Sequence, residues 1–230
     1  MTDEQALPKA IADQPDEDTP RLAFADWLDE SGTESEQARA AFIRVQVELA
    51  TAAPERVAEL RRREAEVWVR HRHAWKAAIP DIPGINWRGY DRGFLTAIDA
   101  DALDLFVKHA AELFAAAPVQ SVRILAAKAK DTAGLVALPK LSWLRELDLT
   151  GCHFLTDADA ANLANAPGVS NLRVLRLGGN RIRREGIRAL IASPYLRNLR
   201  TLGLGLDPRL AADVPLLAAA RAAFPDAKVL

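Results

Sequence analysis

Residues 144–152 read LRELDLTGC, and the same pattern returns as LRVLRLGGN at 172–180 and as LRTLGLGLD at 199–207. The first leucines are 28 and then 27 residues apart, and a weaker copy, VQSVRILAA, begins 25 residues before Leu144, at Val119. In each of the three clear copies a proline (Pro139, Pro167 or Pro194) stands five residues ahead of the first leucine, where it ends the preceding helix. Two independent features agreeing in three copies mark an internal repeat of one supersecondary unit.

Within each copy the leucines fall at fixed places: Leu144, Leu147 and Leu149; Leu172, Leu175 and Leu177; Leu199, Leu202 and Leu204. The pattern L-x-x-L-x-L-x-x-N/C resembles the leucine-rich repeat, and units of 27 to 28 residues, with room for a full helix, resemble its ribonuclease-inhibitor type. The resemblance implies one short parallel strand per unit with its leucines inward, and helices outside. The expected fold class is therefore α/β, a short leucine-rich-repeat solenoid preceded by an all-helical N-terminal domain. In REGIRALIASP, Ile187, Leu190 and Ile191 face the strands. Asn180 stands where a side-chain amide can satisfy turn backbone groups on either side. Cys152 and Asp207 hold the same slot, so Cys152 reads as a turn residue and not as a reactive thiol.

Working upstream, RGFLTAIDADALDLFVKHAAELFAAAP reads as a strand from Phe94 to Ile98 and a helix stopped by Pro118. Residues 81–118 form an irregular opening repeat of a domain spanning 81–230, and AAFPDAKVL supplies a last short strand. Both ends need covers, because an open repeat exposes its core.

Residues 1–80 carry helical signals. In DEDTPRLAFADWLDESG, Thr19 suits an N-cap, Pro20 the first helical position and Gly32 a left-handed C-cap. Leu22, Ala25 and Leu28 with Phe24 and Trp27 recur at helical spacing, flanked by Asp26, Asp29 and Glu30. Asp26 lies nearest the apolar stripe, where partial burial calls for a cation; Arg39 and Arg44 are the candidates. Ala38, Phe42, Val45 and Leu49 form the next stripe, and Leu60, Val67, Trp68, Trp75 and Ile79 anchor a long helix between Pro54 and Pro80. The residues Arg21, Leu22, Ala25, Asp26, Trp27, Leu28, Phe42, Ile43, Arg44 and Gln46 resemble the repeat-companion domain of planctomycete proteins, often found beside leucine-rich repeats. Ala41 departs from the glutamate expected there. The resemblance covers about the first eighty residues and implies no catalytic residues.

The net charge of -1 hides an uneven distribution: -9 over residues 1–36, +4 over 37–80, -3 over 81–118 and +7 over 119–230. A single cysteine excludes an internal disulfide and a Cys-rich zinc site. No apolar run reaches the roughly 18 residues of a membrane span, and MTDEQALPKA lacks the features of a secretory signal, so the expected compartment is the cytoplasm and no membrane partner is expected.

Reaction chemistry finds little support. The carboxylates around Trp27 have no histidine nearby, HRH at 71–73 does not put two ligands on one helical face, and His109 and His153 are isolated. GLGLD lacks the lysine of a phosphate loop, and DADALD lacks the later glycine and glutamate of a calcium loop; Asp99 or Asp101 reads as a helix cap. No catalytic residue, cofactor or metal is expected. What remains is the strand face opposite the leucines, which presents Ser121 and Arg123, Glu146, Asp148 and Thr150, Val174, Arg176 and Gly178, and Thr201, Gly203 and Gly205. Arg123, Glu146, Asp148, Val174, Arg176 and Thr201 are the candidate protein-binding residues. The expected function is a noncatalytic interaction module with a protein partner. The alternative is a nucleic-acid-associated factor using Arg173, Arg176, Arg181, Arg183, Arg184 and Arg188.

Overall fold

The computed structural model describes residues 3–125, 132–205 and 213–229. The chain packs as two compact units: Met1–Asp81, Arg88–Thr96 and Glu112–Pro118 form one, and Ile82–Trp87, Ala97–Ala111 and Val119–Leu230 the other. Among the described residues the strands follow chain order: β1 (Ile85–Asp91), β2 (Phe94–Ala100), β3 (Ser121–Ile124), β4 (Glu146–Asp148), β5 (Val174–Arg176), β6 (Thr201–Gly203) and β7 (Lys228–Val229).

From β2 to β7 every pairing is parallel, and the register places Ile98, Val122, Leu147, Leu175, Leu202 and Val229 on successive rungs. The nine repeat leucines from Leu144 to Leu204 are all between 0% and 7% exposed. Burying one such side chain contributes roughly 1.5–3 kcal/mol, so the repeat of three leucines per unit is also a repeat of the stabilising term. The intervening segments supply α5 (Leu103–Ala116), α6 (Thr132–Val136), α7 (Asp157–Ala164), α8 (Arg184–Ala192) and α9 (Val214–Ala223). In α8, Ile187 and Leu190 are fully buried while Ile191 is half-buried. The weak copy at Val119 is a true rung, with Val119, Val122 and Ile124 at most 1% exposed. Asp207 lies outside the described residues.

The other unit is built from α1 (Asp3–Asp13), α2 (Thr19–Ser31), α3 (Glu34–Thr51) and α4 (Pro54–Ala77). The sequence reading passed over α1, which carries Pro8 inside it, yet its Ile11 is fully buried in a core with Ala25, Leu28, Ala40, Ile43 and Phe94. Helix α2 begins at Thr19, so Asp18 and not Thr19 holds the cap position. Gly32 is extended, with φ -96°, and not left-handed. Glycine is needed there because a Cβ would lie 2.1 Å from the Leu28 carbonyl oxygen. The buried face of α2 runs through Arg21, Ala25 and Leu28, whereas Leu22 is 37% exposed. That of α3 is Ala40, Phe42, Ile43 and Val45, with Ala38 and Leu49 only half-buried. On α4, Leu60 and Trp75 are buried and Val67 and Trp68 half-buried, while the half-buried Ile79, expected on this helix, lies past its end.

The turn between β1 and β2 is held by α3. Arg92 and Gly93 both have positive φ, 46° and 86°. The Gly93 amide donates to Gln46 Oε1 at 2.6 Å, and Gln46 Nε2 donates to Glu64 on α4 at 2.7 Å. A Cβ on Gly93 would come within 2.7 Å of Ile43 Cα, a backbone atom that cannot swing aside. Gly89, at φ 45°, meets nothing within 4 Å. Left-handed backbone costs an L residue roughly 1–2 kcal/mol. Gly89→Ala is therefore expected to cost about that much in a denaturant titration and Gly93→Ala clearly more; equal costs would contradict the close approach to Ile43.

Candidate interaction face of the repeat strands

Parallel register fixes which side chains share the strand face opposite the leucines. One row runs Ser121, Glu146, Val174, Thr201 and Lys228; the next runs Asp99, Arg123, Asp148, Arg176 and Gly203. All six candidate residues therefore stand in these two rows, Arg123 exposed and the others half-buried, while Val122, Leu147, Leu175 and Leu202 between them are buried. Alternation along a strand imposes this, since successive side chains point to opposite faces.

The charges in these rows engage one another. Arg123 forks onto Asp99, with Nε 3.0 Å from Oδ1 and Nη2 2.6 Å from Oδ2. That hydrogen-bonded pairing, together with the Asp99, Asp148 and Glu146 charges, raises the guanidinium's pKa, against a smaller opposing effect of burial. Asp99, only 7% exposed, stands in β2 as the anionic anchor of this pair. The Asp101 amide donates to the Gly84 carbonyl at 2.8 Å. Arg176 bonds Glu146 and comes within 3.9 Å of Asp148 Oδ2. Glu146 Oε2 also accepts from Ser121 Oγ at 3.2 Å, and Asp148 Oδ1 from the Thr150 amide at 2.9 Å. Gly203 makes room for this arrangement, since a Cβ there would lie 3.3 Å from Arg176 Cγ. Val174 and Thr201 stay uncharged beside the network.

The turns beyond the strands are fastened by side-chain amides. Asn180 Nδ2 donates to the carbonyls of Leu149 and Leu177, each at 2.8 Å, satisfying its own turn and the preceding one as its slot in the pattern predicts. A second set was missed: Asn171 donates to the Ser142 carbonyl and Asn198 to the Ser170 carbonyl, both at 2.8 Å. Its signal was present, because an asparagine directly precedes the first leucine in both of the later copies. Asp157 adds a third tie, accepting from the Arg183 and Gly186 amides at the start of α8.

Elsewhere two of the carboxylates beside Trp27 have a structural partner. Arg44 bonds Asp26 at 2.7 Å and Asp29 at 2.5 Å. Asp26 is exposed and not partly buried, and Arg44 alone of the two expected cations pairs with it. Arg184 pairs with Asp213 and Arg188 with Glu185, at 2.5 and 2.9 Å. Among the described residues there is no cluster of three or more His, Cys, Asp or Glu side chains able to hold a metal ion, and no helix long and apolar enough to cross a membrane.

A leucine-rich repeat family model matches residues 140–164 and 170–190, which covers the first and second clear copies and the helix between them. Residues 140–190 are thus similar to leucine-rich repeats, a class whose members generally mediate protein–protein contacts and are typically noncatalytic. No curated protein and no solved structure matches the chain.

Cys152 is fully buried, and burial first, then the nearby Asp148 charge, pushes its thiol up to about 11. The reactive thiolate is thus suppressed in the fold. An aromatic disulfide reagent at about pH 8 is expected to label Cys152 only after denaturant is added. Rapid stoichiometric labelling of the native protein would contradict the buried slot.

Proposed function

We propose that the chain is a noncatalytic interaction module in which Arg123, Glu146, Asp148, Val174, Arg176 and Thr201 contact a protein partner. The observation that carries the reading is the register of half-buried polar and small side chains along β3 to β6, backed by a rigid leucine layer. Ordered charges of both signs next to Val174 and Thr201 suit a protein surface of mixed chemistry, since complementary charges set orientation and partner choice. Residues 1–80 are read as a repeat-companion domain. Residues 81–118 are read as the irregular opening repeat of a solenoid, and the helical segment as its cap or a second contact. The proposed compartment is the cytoplasm.

Nucleic-acid binding is the alternative, and it is less well supported. Of its six arginines, Arg176, Arg184 and Arg188 already have carboxylate partners, which lowers the uncompensated charge available to phosphates. A protein captured by the wild type and then purified should bind the Asp148→Arg, Arg176→Glu double variant about tenfold or more weakly. Its affinity for an Arg181→Glu, Arg183→Glu variant should be little changed. A salt-sensitive shift of DNA or RNA that disappears in the second variant, with protein capture unaffected by the first, would replace this reading.

A further inference from the structure

The helical unit contains a pocket that the repeat face does not involve. Its volume is about 320 Å³, within the range of small-molecule sites, and its walls include Arg39, Trp75, Ile79, Tyr90 and Phe94. Arg39 stands in the middle of an aromatic group: its guanidinium carbon lies 4.8 Å from the Tyr90 ring centre, 5.1 Å from Trp75, 5.7 Å from Phe94 and 6.0 Å from Phe42. Burial lowers its pKa, against a smaller opposing effect of Tyr90.

Among the described residues no carboxylate forms an ion pair with Arg39. Three arginines of α3 and α4 differ: Arg44, Arg56 and Arg61 each pair with at least one acid. Glu36 also lines the pocket, but its carboxylate is turned to the helix cap, where Oε2 accepts from the Thr33 amide at 2.6 Å and from the Thr33 hydroxyl at 2.9 Å. Ring faces compensate a desolvated cation only in part, and the edge of the guanidinium keeps a donor fork suited to a carboxylate. We infer that this pocket binds a small organic acid, with its carboxylate on Arg39 and its apolar body against Trp75, Ile79 and Phe94.

The test uses the full chain and phenylbutyrate as the probe, followed by calorimetry and by the Trp75 indole N–H resonance. Phenylbutyrate is expected to bind saturably and move that resonance, while the uncharged phenylbutyramide and the cationic phenylbutylamine bind about tenfold more weakly or not at all. Arg39→Gln, which keeps a polar side chain without the charge, should lose the preference for the acid. Ala78→Leu alters only an exposed wall residue of the pocket, so it should block the probe without lowering the melting temperature. Equal affinity for the acid, the amide and the amine, or no saturable response to the acid, would overturn the proposal. Neither result depends on variant folding, and neither bears on the strand face.

Discussion

Everything in the repeat half follows from one requirement, that the leucines of each rung be covered by the rungs on either side. A strand of three or four residues with a single apolar layer cannot hide that layer alone. Placing Leu147, Leu175 and Leu202 in register removes all three from water and fixes the strands as parallel, because a translated copy of the same unit presents the same face. Once that register is set, backbone pairing and side-chain alternation leave no freedom in which residues point away. Arg123, Asp148 and Arg176 share a row for the same reason that the leucines do.

The polar parts of the structure stabilise what the leucines position. Asn180, Asn171, Asn198 and Asp157 each span two repeats, so the turns carry ties of their own beside the hydrophobic layer. In the helical unit the corresponding work falls to long polar side chains. Fully buried Arg21 donates to the Glu17 and Pro15 carbonyls, and Gln46 links the Gly93 amide to Glu64. Arg21, Asp26, Ile43, Arg44 and Gln46 thus have structural work, holding helices or the β1–β2 turn in place.

How much could be read in advance depends on how directly a residue's spacing maps onto its contacts. The leucine positions, the Asn180 slot and the composition of the strand face were legible because translation along the repeat maps sequence period onto spatial neighbour. The pairing of Arg123 with Asp99 was not, because Asp99 belongs to the irregular rung, where the expected strand stops at Ile98, one residue short of it. In the helices a period predicts a stripe but not its width or rotation, so Leu22 joins the predicted stripe although packing exposes it and buries Arg21. Gly32 misled for a related reason: glycine serves close approach as well as left-handed backbone, and only the neighbouring Leu28 carbonyl distinguishes the two. The aromatic group around Arg39 joins α3, α4, β1 and β2, a convergence that no local spacing encodes.

The account rests on the repeat rungs behaving as one cooperative layer, and native-state hydrogen exchange measures that most directly. The Leu149 amide bonds the Arg176 carbonyl at 2.9 Å and the Leu177 amide bonds the Gly203 carbonyl at 2.6 Å, so each reports one junction between neighbouring repeats. Both are expected to exchange through the same large opening, at a free energy close to that of global unfolding, about 5–15 kcal/mol for a domain of ordinary stability. Exchange at the rate of an unstructured peptide, or separate low opening energies at the two junctions, would contradict it.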